Sequence, residues 1–155
     1  MMKHSAAVNH RIMDNSSQVK VTDKFWLNYM ELIRTEMLPY QWRVLNDQED
    51  IEIAKERDAD YIPSEKSHAI ENFKIAAGRS QGKHYGMVFQ DSDVYKWLEA
   101  VAYTLARVPE DKVLRKAADR VVELIAAAQE EDGYLGTYFT TEAPVRKFKR
   151  PLPEP

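Results

Sequence analysis

The chain of 155 residues contains no cysteine. Disulfides are therefore excluded within it, as are a cysteine-based zinc site and a thiolate nucleophile. The same absence fits a reducing compartment. No run of about 18 apolar residues occurs, so no membrane span is expected. The opening MMKHSAAVNHRIMDNSS is polar and lacks the apolar stretch of a signal peptide. The cytoplasm is the location these absences lead one to expect. Basic charge is not in excess: 22 Lys and Arg stand against 25 Asp and Glu. No nucleic-acid footprint results. The single basic cluster, Arg146 to Arg150, reads as a solvated tail. There is no Gly-rich phosphate loop and no G-x-S-x-G elbow.

What is present is ordinary globular material, 44% hydrophobic and 30% charged, which at this length predicts one domain with a real core. Residues 1–18 show no periodicity and are expected to be a disordered arm. Val19-Lys20-Val21-Thr22 alternates, as a short strand or an extended lead-in. A first helix is predicted from Thr22 or Asp23, either of which can cap free N–H groups. Phe25, Tyr29, Leu32, Ile33 and Met37 then recur at steps of three and four, which places them on one face. Pro39 kinks or ends that helix. A shorter segment carries Trp42 and Leu45 to Asn46. Residues 47–66 are acidic and unpatterned and predict a long loop.

Three more helices follow. One spans about His68 to Ala77, capped by Ser67 and stopped by Gly78. The next starts after Asp91, with Asp91 or Ser92 as its cap, and runs to about Arg107. Its stripe is Val94, Trp97, Leu98, Val101, Ala102 and Leu105. The last runs from Glu110 to Gln129, with Val113, Leu114, Ala117, Val121, Leu124, Ile125 and Ala128 on its stripe and Gly133 as its stop. The short link through Pro109 makes these two an antiparallel hairpin.

Five blocks carry a resemblance: VTDKFW at 21–26, MLPYQWRVLND at 37–47, SHAIENFKIAAG at 67–78, GMVFQDSDVYKWLEA at 86–100 and AAAQEEDGYLGTYF at 126–139. In order and spacing they resemble the opening of glycoside hydrolase family 127, the β-L-arabinofuranosidases, over residues 19–144. The resemblance implies an all-α fold, an (α/α)6 barrel of about twelve helices, of which this chain supplies about four. It implies retaining hydrolysis of β-L-arabinofuranosyl linkages by a zinc-bound cysteine thiolate with a glutamate as acid/base. All of those groups lie downstream of the matched blocks. The chain itself is therefore expected to hold no catalytic residue and no metal, with zinc belonging to the full-length enzyme. Where the family continues into a His-Glu helix, this sequence turns into VRKFKRPLPEP, so 145–155 is expected to be an unmatched tail and the chain the N-terminal portion of a longer protein.

Candidate sugar contacts follow from the resemblance. Asp91 and Asp93 begin an inner helix, whose start faces the cavity mouth in a helical barrel. Gln90 stands beside them. Their plainer role is capping and charge complementation of that helix. Tyr134, in the turn Asp132-Gly133-Tyr134-Leu135, can serve as a sugar platform, while Gly133 supplies a left-handed helix end. Gln41 and Trp42 follow Pro39 off a clean stripe, which makes them better cleft candidates than Trp26 and Trp97, read as core. His84 stands among glycines and can reach a substrate, or is simply a surface residue. The expected partner is carbohydrate, with neither nucleic acid nor membrane. Self-association through uncovered apolar helix faces is also expected. The competing reading is a small independent helical interaction module closed by four amphipathic helices.

Overall fold

Asp23 starts the first helix. Its carboxylate accepts the N–H groups of Phe25 and Trp26 at 2.9 and 3.2 Å, the cap that the sequence predicts. In the computed structural model, which describes residues 19–51 and 66–147, α1 (Lys24–Leu32) follows. The expected arm 1–18, residues 52–65 of the loop and the tail from 148 lie outside the described residues. Val19–Thr22 takes no regular structure, so its strand alternative falls away.

Pro39 neither ends the helix nor breaks it. A π turn, Ile33–Met37, precedes it, and α2 (Leu38–Leu45) carries the proline near its start. The Leu38 N–H donates to the Ile33 carbonyl, five residues back. Proline has no N–H to give, and its ring crowds the carbonyl four residues earlier. Widening the turn just before it relieves both problems.

α3 (Ala69–Ala76) begins one residue later than expected, and its cap position is His68 rather than Ser67. Ser67 is buried and His68 sits at φ 54° without a side-chain cap. Gly78, at φ 67°, supplies the left-handed stop that the sequence suggests. α4 (Asp91–Arg107) and α5 (Lys112–Ala128) form the predicted hairpin. Asp111 moves the start of α5 past Glu110, because its carboxylate accepts the Leu114 N–H at 3.0 Å. Gly133 is not the end of α5, which stops at Ala128. It sits at φ 88° in the turn beyond, donating its N–H to the Glu130 carbonyl at 2.8 Å. α6 (Thr137–Thr141) and a 3₁₀ turn, Pro144–Arg146, complete the order. Their threonines and aromatics show no helical stripe, so neither was legible.

The described residues are all helical or irregular, with no strand among them. The core is built from Val94, Trp97, Val101 and Leu105 of α4, Leu114, Val121 and Leu124 of α5, Phe73 of α3 and Leu38 of α2. Burying a side chain such as Phe73 contributes about 1.5–3 kcal/mol. The Trp97 indole N–H donates to the Leu38 carbonyl at 3.1 Å, which locks α4 to α2. Arg34 links the π turn to α5 through Asp111 at 2.8 Å. Some expected stripe members lie outside the buried core, Ala117 and Ile125 being half-buried. Val113 is 84% exposed, because it lies one residue, about 100°, off the row that contains Leu114. Ala102 is exposed on α4, and Leu98 is only half-buried.

The larger correction concerns α1. Of the five residues expected on one face, Phe25, Tyr29, Leu32 and Met37 are about half exposed and Ile33 packs partly against the core, while α1 buries no residue fully. Trp26, expected in the core, is 59% exposed. Phe25, Trp26 and Tyr29 pack on one another, with ring centroids 4.9 to 6.3 Å apart.

Candidate functional site

A groove of about 490 Å³ opens between the π turn with α2 and the start of α4. Its walls are mainly apolar, with Met37, Tyr40 and Val44 on one side and Trp97 on the other. The polar groups on it are few. Gln41 comes from α2, and Gln90, Asp93 and Lys96 form a row at the head of α4. The sequence candidates Gln41, Gln90 and Asp93 thus meet in one groove, 49 and 52 residues apart in the chain.

The row on α4 is held by its own contacts. The Gln90 side-chain N–H donates to Asp93 at 3.4 Å, and Lys96 stands 3.6 Å from the other Asp93 oxygen. The Gln90 amide oxygen accepts the Met87 N–H at 3.4 Å. Gly86 makes that seat possible. It takes φ 83°, and a Cβ there would lie 2.7 Å from the same amide oxygen. Amide, carboxylate and ammonium can all bond sugar hydroxyls. Among the described residues that line the groove Asp93 is the one carboxylate, so those residues by themselves offer no carboxylate pair for glycoside hydrolysis.

Asp91 stands elsewhere. It is buried, and it does not cap its own helix. Its two oxygens accept the Thr137 N–H at 2.8 Å and the Thr137 hydroxyl at 2.5 Å. This pin ties the head of α4 to α6. His84 and Tyr134 share its surroundings. Burial holds the His84 imidazole below its ordinary range, against the opposing pull of Asp91 and Glu142. Its Nε2 is buried without a hydrogen-bond partner among the described residues, and its ring meets Tyr138 edge-on at 5.3 Å. Burial, then the Asp91 charge, pushes the Tyr95 phenol up to about 12. Burial also raises Tyr134, whose ring carries the Lys147 ammonium 5.3 Å from its centroid. Trp42 belongs to neither group. It stacks on Trp97 at 4.8 Å and lies against the core.

Two features had no sequence signal. Asp47 and His68 are the described non-glycine residues with positive φ, 60° and 54°. They are joined to each other, the His68 N–H donating to Asp47 at 2.6 Å and the His68 imidazole standing 3.0 Å from the second oxygen. The two ends of the acidic loop are thereby clamped. Asn72, buried on α3, bonds both the N–H and the carbonyl of Tyr85, at 2.9 and 2.8 Å, and so fixes the segment that leads into Gln90. Phe89, 70% exposed beside Gln90, is an aromatic the sequence reading passed over. Among the described residues no group of three or more His, Cys, Asp or Glu is placed to hold a metal ion. No helix of the described residues is long and apolar enough to cross a membrane.

Comparison with known proteins gives one consistent answer. The profile of the β-L-arabinofuranosidase GH127 catalytic domain matches residues 18–151. The non-reducing end β-L-arabinofuranosidase of Bifidobacterium longum subsp. longum is 45% identical over 127 residues, covering 82% of this chain and 19% of that protein. The crystal structure of a GH127 β-L-arabinofuranosidase from Geobacillus stearothermophilus T6 superposes with a TM-score of 0.70 at 51% identity, over 84% of this chain and 18% of that one. A second GH127 β-arabinofuranosidase structure gives 0.61 at 34% identity, over 80% and 17%. The fold of these enzymes is an (α/α)6 barrel, and the helices described above are a part of it. The chain spans about a fifth of the length of the relatives it matches.

Proposed function

The chain belongs to glycoside hydrolase family 127, the β-L-arabinofuranosidases, and on that footing we propose that it supplies the N-terminal wall and part of the sugar-binding rim of an enzyme that hydrolyses β-L-arabinofuranosyl linkages. The groove holding Gln41, Gln90 and Asp93 carries this reading. It combines an apolar floor with a few convergent polar groups, as small-ligand sites do. In this role Gln90 and Asp93 bond sugar hydroxyls, Gly86 keeps the Gln90 amide seated, and Asn72 keeps the approach to it rigid.

The chain alone does not turn substrate over. A retaining hydrolysis needs a nucleophile and an acid/base on opposite sides of the bond. Zinc, implied by the resemblance for the whole enzyme, does not fit these residues. There is no thiolate to hold it, and the described carboxylates and imidazoles do not cluster. The uncovered aromatic face of α1 supports the same reading, since a barrel wall expects further helices against it.

The test is a titration of the chain with L-arabinose, followed by amide shifts. Saturable shifts at Gln41, Gln90 and Asp93 are expected, with no release of sugar from a β-L-arabinofuranoside in the presence of zinc. Turnover by the chain, or shifts confined to the far side around His84 and Tyr134, would overturn the assignment.

A further inference from the structure

A second cavity, of about 280 Å³, lies on the other side of the Trp42–Trp97 stack, between the end of α2, α3 with the residues after it, and α5. Its lining is unlike that of the groove. Lys74, Arg79 and Arg120 all border it, together with the Asn46 amide and the Trp42 ring. No acidic residue is among the described residues that line it. In a chain of net charge −3, three cations around one cavity are a local reversal of sign.

Their neutralisation is uneven. Lys74 is matched by Glu71 at 3.0 Å, and Glu71 is held further by the Ser80 hydroxyl. Arg79 and Arg120 have no ion pair among the described residues, although Asp119 and Glu123 stand near Arg120 on α5. Asn46 spends one N–H on the Trp42 carbonyl at 2.8 Å, which fixes its amide at the rim. Ile70, Val121 and Leu124 make the rest of the wall apolar.

We infer that this cavity is an oxyanion-binding niche, separate from the arabinose groove, in which Arg79 and Arg120 receive a carboxylate or phosphate and the apolar wall beside Trp42 receives the body that carries it. Guanidinium forks match planar or tetrahedral oxyanions with paired N–H bonds, which an ammonium cannot do. Basic side chains that border one cavity raise the local positive potential and so favour entry of an anion. An aromatic ring with an aliphatic wall suits the face of a sugar ring, so an acidic sugar is the ligand class that uses every part of the niche. The inference does not rest on the reading of the groove.

The full chain is titrated with galacturonate, with inorganic phosphate, and with galactose as the uncharged control, at constant ionic strength set by sodium chloride. The Nε–H signals of Arg79 and Arg120 report the binding. Saturable shifts of both with an oxyanion, and none with galactose, are expected. Tighter binding of galacturonate than phosphate assigns the ring body, and the reverse assigns the bare anion. R79Q and R120Q change exposed side chains, so the fold, checked by circular dichroism, is retained. Each is expected to weaken binding about tenfold. No saturation, equal shifts with chloride alone, or undiminished binding in the R79Q/R120Q double variant would overturn the niche. Arabinose binding at Gln90 should be unchanged in that variant, so failure of the two sites is distinguishable.

Discussion

α1 and α4 have similar sequences in one respect and opposite fates. Each repeats apolar and aromatic residues at steps of three and four. On α4 the row Val94, Trp97, Val101 and Leu105 is 5% exposed or less. On α1 the row Phe25, Tyr29 and Leu32 is half in water. Periodicity fixes which side chains share a face. What covers that face is a long-range matter. α4 is covered because α2, α3 and α5 reach it, whereas α1, which meets α4 through the Glu31–Arg107 pair, leaves its Phe25, Tyr29 and Leu32 side exposed. The apolar area on α1 is thus a property of an incomplete surface, of the kind that marks an interaction face.

Matched substitutions break or sharpen this contrast. The largest effect is expected for Trp97→Ala, which removes a buried ring, its bond to the Leu38 carbonyl and its stack with Trp42. A loss of about 3–5 kcal/mol in urea unfolding is expected. A loss within about 0.5 kcal/mol would place α4 with α1 as a surface helix. Asp91→Ala leaves the Thr137 N–H and hydroxyl buried without an acceptor and should cost about 2–4 kcal/mol. Asp91→Asn keeps one acceptor and should recover part of it. Equal stability of the two variants would count against the pin.

His84 comes next. Burial lowers its pKa, so the folded state takes up a proton less readily than the unfolded chain. The unfolded state therefore binds more protons as pH falls through about 6.5, and stability falls with it. His84→Gln should flatten the midpoint of thermal unfolding between pH 7 and 5. A profile no flatter than that of the unaltered chain would show that His84 is not the source of the slope. The smallest effect on stability belongs to Trp26→Ser, within about 0.5 kcal/mol. A Trp26→Ser chain as destabilised as Trp97→Ala would mean that α1 is part of the core after all.

Much of the fold was legible because its helices are amphipathic and punctuated. Asp23, Pro109 and Gly78 stand where the predicted boundaries need them. Helix starts differed from expectation where a carboxylate took a partner other than the one expected. Asp91 serves Thr137, and Asp111, not the preceding residues, caps α5. The site was legible in part. Gln41, Gln90 and Asp93 converge, since each stands near a helix start or just after the proline. His84, Asp91 and Tyr134 were named for the same cleft but gather behind it, around α6, an element with no stripe to announce it. Trp42 turned to the core because Trp97, 55 positions away, offers it a stacking partner. The Asp47–His68 clamp and the Asn72 brace could not be read, as each joins residues whose nearness only the fold creates.

The π turn at Ile33–Met37 sets the angle at which the first helix is presented. One residue more than an α-helical turn rotates everything before it by about 100° relative to everything after. Leu38 and Leu45 face inward while the aromatics of α1 look away. Deleting a single residue there, such as Thr35, would re-clock the helix and swing a quarter-turn of aromatic surface to a new bearing. The wide turn thus acts as a coupling between two shafts, and its one-residue offset dictates from which direction any covering helix must approach.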